Sequence, residues 1–372
     1  MAQTLQKTLR NVGVETMRFA SDGVFLPIPL AYPGVNRPIP PDSSYLRRIM
    51  VVPGRRRERI FGLTSGERSH CFMALPKPPH GYVVDMGAAP EGVALIDLID
   101  LVRIQPDGYR AMALLLLAAQ GKDSILYAQG RPHATPGLQE WKVFIPPRRE
   151  ISRLPGFGAH SCLLDPEDSQ RLLVAGPKRW AVLSLAEDNL GTIEREATIG
   201  TDLLPVAKKA DGGDLWMDQR GLIFAWDWTR NNFRPCGEAP PTDHGLWQWA
   251  RTDGKDGLWL SNGTSHLYQW NAEKGLRQVG QAPYAPVHFL VPTPDGRCFG
   301  FCGEGIGHWF EWVEEEETVR RHGPIASFLV NPRYGFHFTD AAAGQDGALY
   351  LAENDRGGHL WIHYPGLRES PE

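Results

Sequence analysis

The sequence predicts an all-β protein assembled from repeated four-stranded meanders, and three observations predict it. Short runs rich in aromatic and branched residues alternate in polarity and are separated by Gly, Asn and Asp turns, the pattern of antiparallel strands. One such phrase recurs along the chain. In its clearest copy, Asp256–Pro283, Leu258-Trp259-Leu260 runs into Asn262-Gly263, then His266–Trp270 leads through a polar turn to Leu276–Val279. It returns as Gly296–Phe301 with His308–Trp312, and as Gly347–Leu351 with His359–Ile362. The copies stand roughly 40–50 residues apart, which is the period of a β-propeller blade. Seven copies fit the chain, so the predicted architecture is a seven-bladed β-propeller.

Composition agrees with strands and turns rather than disorder. Gly (40) and Pro (31) are abundant in the 372 residues, yet aromatic and aliphatic residues stay plentiful between them. A formal net charge of −4 gives no global attraction to nucleic acid, whose binding needs a basic face. Arg55-Arg56-Arg57 and Arg148-Arg149 sit in Pro/Gly contexts and read as solvated turns. The five cysteines form no CxxC pair; Cys298 and Cys302 fall on one face of one strand and read as small buried hydrophobes. The N-terminal stretch lacks the apolar core of a signal peptide, and no run reaches the length of a membrane span. The expectation is a soluble cytoplasmic protein that engages neither nucleic acid nor membrane.

The elements follow in order. Residues 1–44 form a lead with a candidate strand at Val14–Ala20 and a Pro-rich passage, Pro27 to Pro41, expected to run as extended loop for lack of ladder donors. Residues 45–372 form the propeller, a single domain together with that strand. Blade one takes Leu46–Val52, Ile60–Leu63, His70–Leu75 and Tyr82–Met86. Glu91–Gln105, whose apolar spacing suits a short helix or a strand equally, reads as an insertion between blades. Blade two takes Ala111–Ala119, Ile125–Ala128, Trp141–Ile145 and Glu150–Leu154; blade three begins at Ser161, four at Leu203, five at Leu246 and six at Val287. Blade seven, Phe336–Asp340, Ala348–Ala352 and His359–Tyr364, is one outer strand short, and Val14–Ala20 is expected to close the ring by supplying it.

In a propeller the entry ends of the innermost strands converge on the axis. Those positions carry His160, His244, His288 and His337, with Tyr45, Tyr109 or Arg110, and Thr201 in the other copies. Imidazole brings ligand and acid–base chemistry near neutral pH, and equally it could fill the channel by bonding a neighbouring carbonyl. A second histidine series, His70, His266, His308 and His359, opens third strands and reads as a structural bond within each blade. The loops of the same face carry Arg68, Arg131, Arg333 and Arg356 with Tyr284 and Tyr334, a rim suited to an anionic ligand.

The repeat pattern over about residues 45–364, with His, Tyr and Arg at the channel mouth, resembles the class of seven-bladed carbohydrate-active propellers that includes oligogalacturonate and ulvan lyases. That resemblance implies a uronate held by Arg, proton abstraction by His or Tyr, and β-elimination of the linked sugar. The four channel-mouth histidines also give a looser similarity to carotenoid cleavage oxygenases, where four such histidines hold iron. Three functions therefore stand open. One is a lyase or hydrolase on an acidic oligosaccharide, with His288 or His337 as base, Tyr284 or Tyr334 as acid, and Arg333, Arg356, Arg131 and Arg68 binding the substrate. Another is an enzyme with a divalent metal (Fe, Mn, Zn or Ca) on His160, His244, His288 and His337. The third is a non-catalytic interaction propeller.

Overall fold

The computed structural model describes residues 23–31, 39–52, 58–77, 80–101, 114–130, 133–134, 143–144, 148–201, 203–207, 215–218, 220–240, 247–252, 257–293, 296–327 and 333–365. It is a seven-bladed β-propeller: seven four-stranded antiparallel sheets, with no α-helix among the described residues. The chain divides into two compact units. One comprises 1–66, 72–85 and 238–372; the other comprises 67–71 and 86–237.

The first unit holds most of blade one (Tyr45–Val52, Arg59–Ser65, His70–Lys77, His80–Ala88) and all of blades five, six and seven. Blade five is Trp247–Thr252, Gly257–Asn262, His266–Asn271 and Gly275–Gln281; blade six is Val287–Pro292, Cys298–Cys302, His308–Val313 and Thr318–Pro324. Blade seven is Phe338–Ala343, Leu349–Glu353 and His359–Pro365, with Gly23–Pro29 as its fourth strand. The inner strands of blades five, six, seven and one touch in that order. Alternation drives the packing. Phe289, Phe299, Phe301, Trp309, Phe338 and Trp361 turn one way into a shared aromatic core and are at most 2% exposed. Each such side chain contributes about 1.5–3 kcal/mol by leaving water.

The closing strand is a correction to the sequence reading. The partner of His359–Pro365 is Gly23–Pro29, in register from Gly23 opposite Pro365 to Pro29 opposite His359. Val14–Ala20 lies outside the described residues. Prolines are tolerated here because an outermost strand has only one ladder partner, so a missing N–H on its free side costs nothing. The same strand still alternates: Val24, Leu26 and Ile28 enter the cluster between blades one and seven, while Phe25 enters the aromatic core.

The second unit holds blades two, three and four. Blades three (Ser161–Leu164, Arg171–Ala175, Arg179–Ser184, Ile193–Thr198) and four (Leu203–Ala207, Leu215–Asp218, Leu222–Asp227, Asn232–Glu238) fall where the sequence places them. Blade two does not. Its inner strand is Ala94–Asp100, inside the stretch read as an insertion, followed by Leu114–Gln120, Asp123–Gln129 and Arg148–Leu154. Ala111–Ala119 therefore marks the second strand, and Val143–Phe144 belongs to a small ribbon with His133–Ala134 rather than to the blade. The apolar spacing of this stretch suits a short helix or a strand equally, and a buried aspartate met by the neighbouring blade accompanies its strand form. Asp97, fully buried, sits at a strand irregularity, accepts from its neighbour Leu98 N at 2.9 Å, and reaches Cys162 N on the inner strand of blade three at 3.2 Å. Blade seven repeats the device: Asp340, also at an irregularity, accepts from Ala341 N at 2.9 Å and from Ile49 N of blade one at 3.0 Å. With Ala94 opening the inner strand of blade two, Tyr109 and Arg110 are not its entry residues; both lie outside the described residues.

Candidate functional site

The loops entering blades six and seven form one surface on the first unit. Tyr284 precedes the inner strand of blade six and is 48% exposed; its ring lies 4.5 Å from that of His308, which opens the third strand. Beneath it runs Gly303, whose φ of +90° suits a residue without a side chain and whose added Cβ would stand 3.4 Å from the Tyr284 Cβ. Ile306, in the same turn, is 44% exposed. Tyr334, 45% exposed, sits on a short ribbon pairing Arg333–Tyr334 with Ala326–Ser327. The floor is aromatic: Phe301 and Phe338 meet edge to face at 4.9 Å, and Gly335 lies so close over Phe338 that a Cβ would reach its ring.

The polar groups of this surface are largely committed to the protein itself. His288, on the inner strand of blade six, donates Nε2–H to the Gly303 carbonyl at 2.7 Å and lies 5.5 Å from the Phe301 ring. A carbonyl can only accept, which fixes the tautomer and leaves Nδ1 as the nitrogen for any base or ligand role. His337 is exposed and holds a left-handed φ of +45°, uncommon for a residue with a side chain. Its carbonyl accepts from Asn354 N at 2.7 Å.

A fully buried carboxylate, Glu353, organises these loops. It accepts from Phe336 N at 3.1 Å, from His359 N at 3.1 Å and from His359 Nδ1 at 3.0 Å, and it meets the Arg333 guanidinium at 3.4 Å. Burial alone would raise its pKa, but the bond and charge of His359 and the charge of Arg333 hold it below the ordinary carboxylate range. Sequence reasoning missed Glu353. Its signal was an acidic residue closing an otherwise apolar strand, LYLAE, six residues before a third-strand histidine. An inner-strand pair was missed as well: Arg251 of blade five reaches Asp340 Oδ1 of blade seven at 2.9 Å and the Ala341 carbonyl at 2.6 Å.

The arginine rim expected from the sequence is not a set of free cations. Arg333 is paired with Glu353, and Arg356 lies 2.6 Å from Asp42. Arg68 donates to the Ala89 carbonyl at 2.5 Å; Arg131 lies outside the described residues. The third-strand histidines share a position but not a partner: His359 bonds Glu353, His266 Nδ1 meets the Thr264 hydroxyl at 2.9 Å, and the His308 ring packs at a tilt against Tyr284.

Of the four histidines read as a metal set, His244 lies outside the described residues. His160, in the second unit, donates Nε2–H to the Leu203 carbonyl at 2.9 Å, and its buried Nδ1 has no partner. Burial pushes its pKa down, so the ring is neutral near physiological pH. Both His160 and His288 spend Nε2 on a carbonyl, so this donor set fits a four-imidazole shell only through Nδ1. Among the described residues no group of three or more His, Cys, Asp or Glu is arranged to hold a metal ion. Burial raises the Cys302 thiol to about 11 and holds Cys298 well above its ordinary value, which disfavours the thiolate at both. No described helix is long and apolar enough to cross a membrane.

No family model matches this chain, and no curated protein matches it in sequence. Its similarity is to solved propellers. A chain of the mitotic checkpoint complex is 12% identical with a TM-score of 0.54, covering 94% of each chain. Virginiamycin B lyase from Staphylococcus aureus, as a catalytically inactive variant with quinupristin, is 10% identical with a TM-score of 0.56, covering 91% of this chain and 99% of that one. Its selenomethionine form gives 11% and 0.56. At such identities the likeness shows the fold alone.

Proposed function

We propose that this chain is a recognition propeller that binds a partner on the entry loops of blades six and seven. One observation carries the reading. Three of the four exposed large hydrophobic side chains among the described residues lie at this end, Tyr284 and Tyr334 in those loops and Ile306 in the adjoining turn of blade six, while His288, Arg333 and Arg356 already have partners within the protein. Such a surface offers contact area from rigid aromatic anchors more than charge or proton transfer. The checkpoint-complex propeller is a protein of this architecture found in an assembly. The test is selection from a displayed peptide library against the intact protein. Enriched peptides should lose binding at least tenfold in a Tyr284→Ala, Ile306→Ser, Tyr334→Ala variant and keep it in Arg356→Ala. Peptides indifferent to the triple substitution would sink this reading.

A second reading rests on His337 and on the lyase among the structural neighbours. An exposed imidazole held in a sparsely populated backbone conformation fits a base poised at the mouth, where strain is often stored. In this reading the chain is a lyase or hydrolase on an acidic oligosaccharide, with His337 or His288 Nδ1 as base and Tyr334 or Tyr284 as acid. Arg333, oriented by Glu353, would face the carboxylate. Unsaturated products from uronate oligosaccharides, lost in His337→Ala, would support it. A protein that leaves every such substrate intact ends it.

A further inference from the structure

At the opposite end of blades five and six, the hairpin turns enclose a cleft of about 300 Å³. It lies within the first unit, between the turn after Asn271, the turn after Pro292 and the loop at Glu314. Its size suits a single small ring or short-chain molecule rather than a macromolecule. Trp259 and Trp270 form an apolar wall with Leu258 and Pro292, and Gln269, Asn271 and Thr293 add polar groups.

The charges lining the cleft are unequal. Lys274, Arg277 and Arg297 face it, against Glu314 as the one lining carboxylate among the described residues. The acids that meet two of these cations are not on the lining. Glu311, buried, stands 3.8 Å from Arg297, and Glu317, well exposed, stands 3.7 Å from Arg277. Arg297 is also held over the Phe299 ring at 5.1 Å, and Arg277 donates to Gln269 Oε1 at 3.0 Å. Both guanidiniums are thus fixed before any ligand arrives, which lowers the ordering cost of binding. Lys274 forms no ion pair among the described residues; its backbone N–H is tied to Asn271 Oδ1 at 2.6 Å, which fixes the turn that presents it.

We propose that this cleft binds a small anionic sugar. The carboxylate or phosphate would sit among Lys274, Arg277 and Arg297. The hydroxyls would meet Gln269, Thr293 and Glu314, and a ring face would lie against the indole wall. Indole with planar amides suits the alternating apolar and hydroxylated faces of a sugar ring, while the excess of cations selects the charged form. The site is separate from the entry loops, and either can hold without the other.

Isothermal titration of the full-length protein with glucuronate, glucose 6-phosphate and glucose tests it. At least one of the two anionic sugars should bind saturably with one site per chain, and the pair decides between carboxylate and phosphate. Glucose should bind at least tenfold more weakly. Lys274→Glu, at an exposed turn position, should weaken the anion about tenfold or more, the loss expected for one charge-assisted contact reversed. Arg297→Gln should do the same, whereas Arg356→Ala should change nothing. Absence of saturable binding by both anions, equal binding of glucose, or full affinity in Lys274→Glu would each overturn the proposal.

Discussion

A buried glutamate meets blade seven at each of its ends, and the two live in opposite electrostatic environments. Glu353, at the entry end, is met by an imidazole, a guanidinium and two backbone N–H groups, and its pKa is held down. Glu58 reaches the other end from blade one. It accepts from Gln345 N at 2.5 Å and from the Tyr350 hydroxyl at 2.8 Å, and burial holds its pKa up despite both bonds. Burial is common to both, so partners decide the charge. A carboxylate with cationic neighbours is an anionic hub; one with only neutral described donors is a buried acid tolerated for its hydrogen bonds. Tyr350 feels the other side of that contact, its own pKa raised by burial and by the Glu58 charge.

The widest test removes the outermost strand of blade seven. Truncation to begin at residue 30 strips Val24, Phe25, Leu26 and Ile28 from the core, at about 1.5–3 kcal/mol each, and cooperative unfolding should be lost. Truncation to begin at residue 22 leaves Gly23–Pro29 intact and should keep a cooperative melt. Similar behaviour of the two chains would break the assignment of the closing strand.

A smaller effect separates the glutamates directly. Glu353→Ala strands Arg333, His359 and the Phe336 N–H together, and should cost about 3–5 kcal/mol in urea unfolding, the range for breaking a buried pair. Glu58→Gln keeps an acceptor for Tyr350 or Gln345 and should cost about 1 kcal/mol or less. Equal costs would erase the distinction between hub and tolerated acid.

The smallest effect is in pH, and its sign differs between the two. Glu353, with a depressed folded pKa, stabilises the fold above the ordinary carboxylate range, and that contribution is lost as pH falls through its folded value. Glu58, with a raised folded pKa, gives its contribution at low pH and loses it as pH rises through that raised value. Measured against the matching Gln variants, the wild-type advantage should therefore grow with rising pH at Glu353 and shrink with rising pH at Glu58. Parallel trends would show that one of the two environments is misassigned.

The sequence by itself determined the strands bounded by clear turns. Leu258-Trp259-Leu260, His308–Trp312 and His359–Ile362 could be placed because short runs of aromatic and branched residues between turn residues read as strands even where, as here, both faces are buried. It also determined which histidines open strands, since Gly turns mark those openings. Tertiary structure alone decided the rest. Asp97 interrupts an apolar stretch that suits helix or strand equally, until the neighbouring blade supplies the N–H that meets it in the interior. Pro27 and Pro29 exclude a strand until the strand proves to be outermost and needs donors on one side only. Arg333 and Arg356 read as rim cations until Glu353 and Asp42, distant in sequence, are brought against them. Local pattern fixes which way a side chain faces; only the closed fold fixes what it meets there, and charge, hydrogen bonding and pKa all depend on that partner.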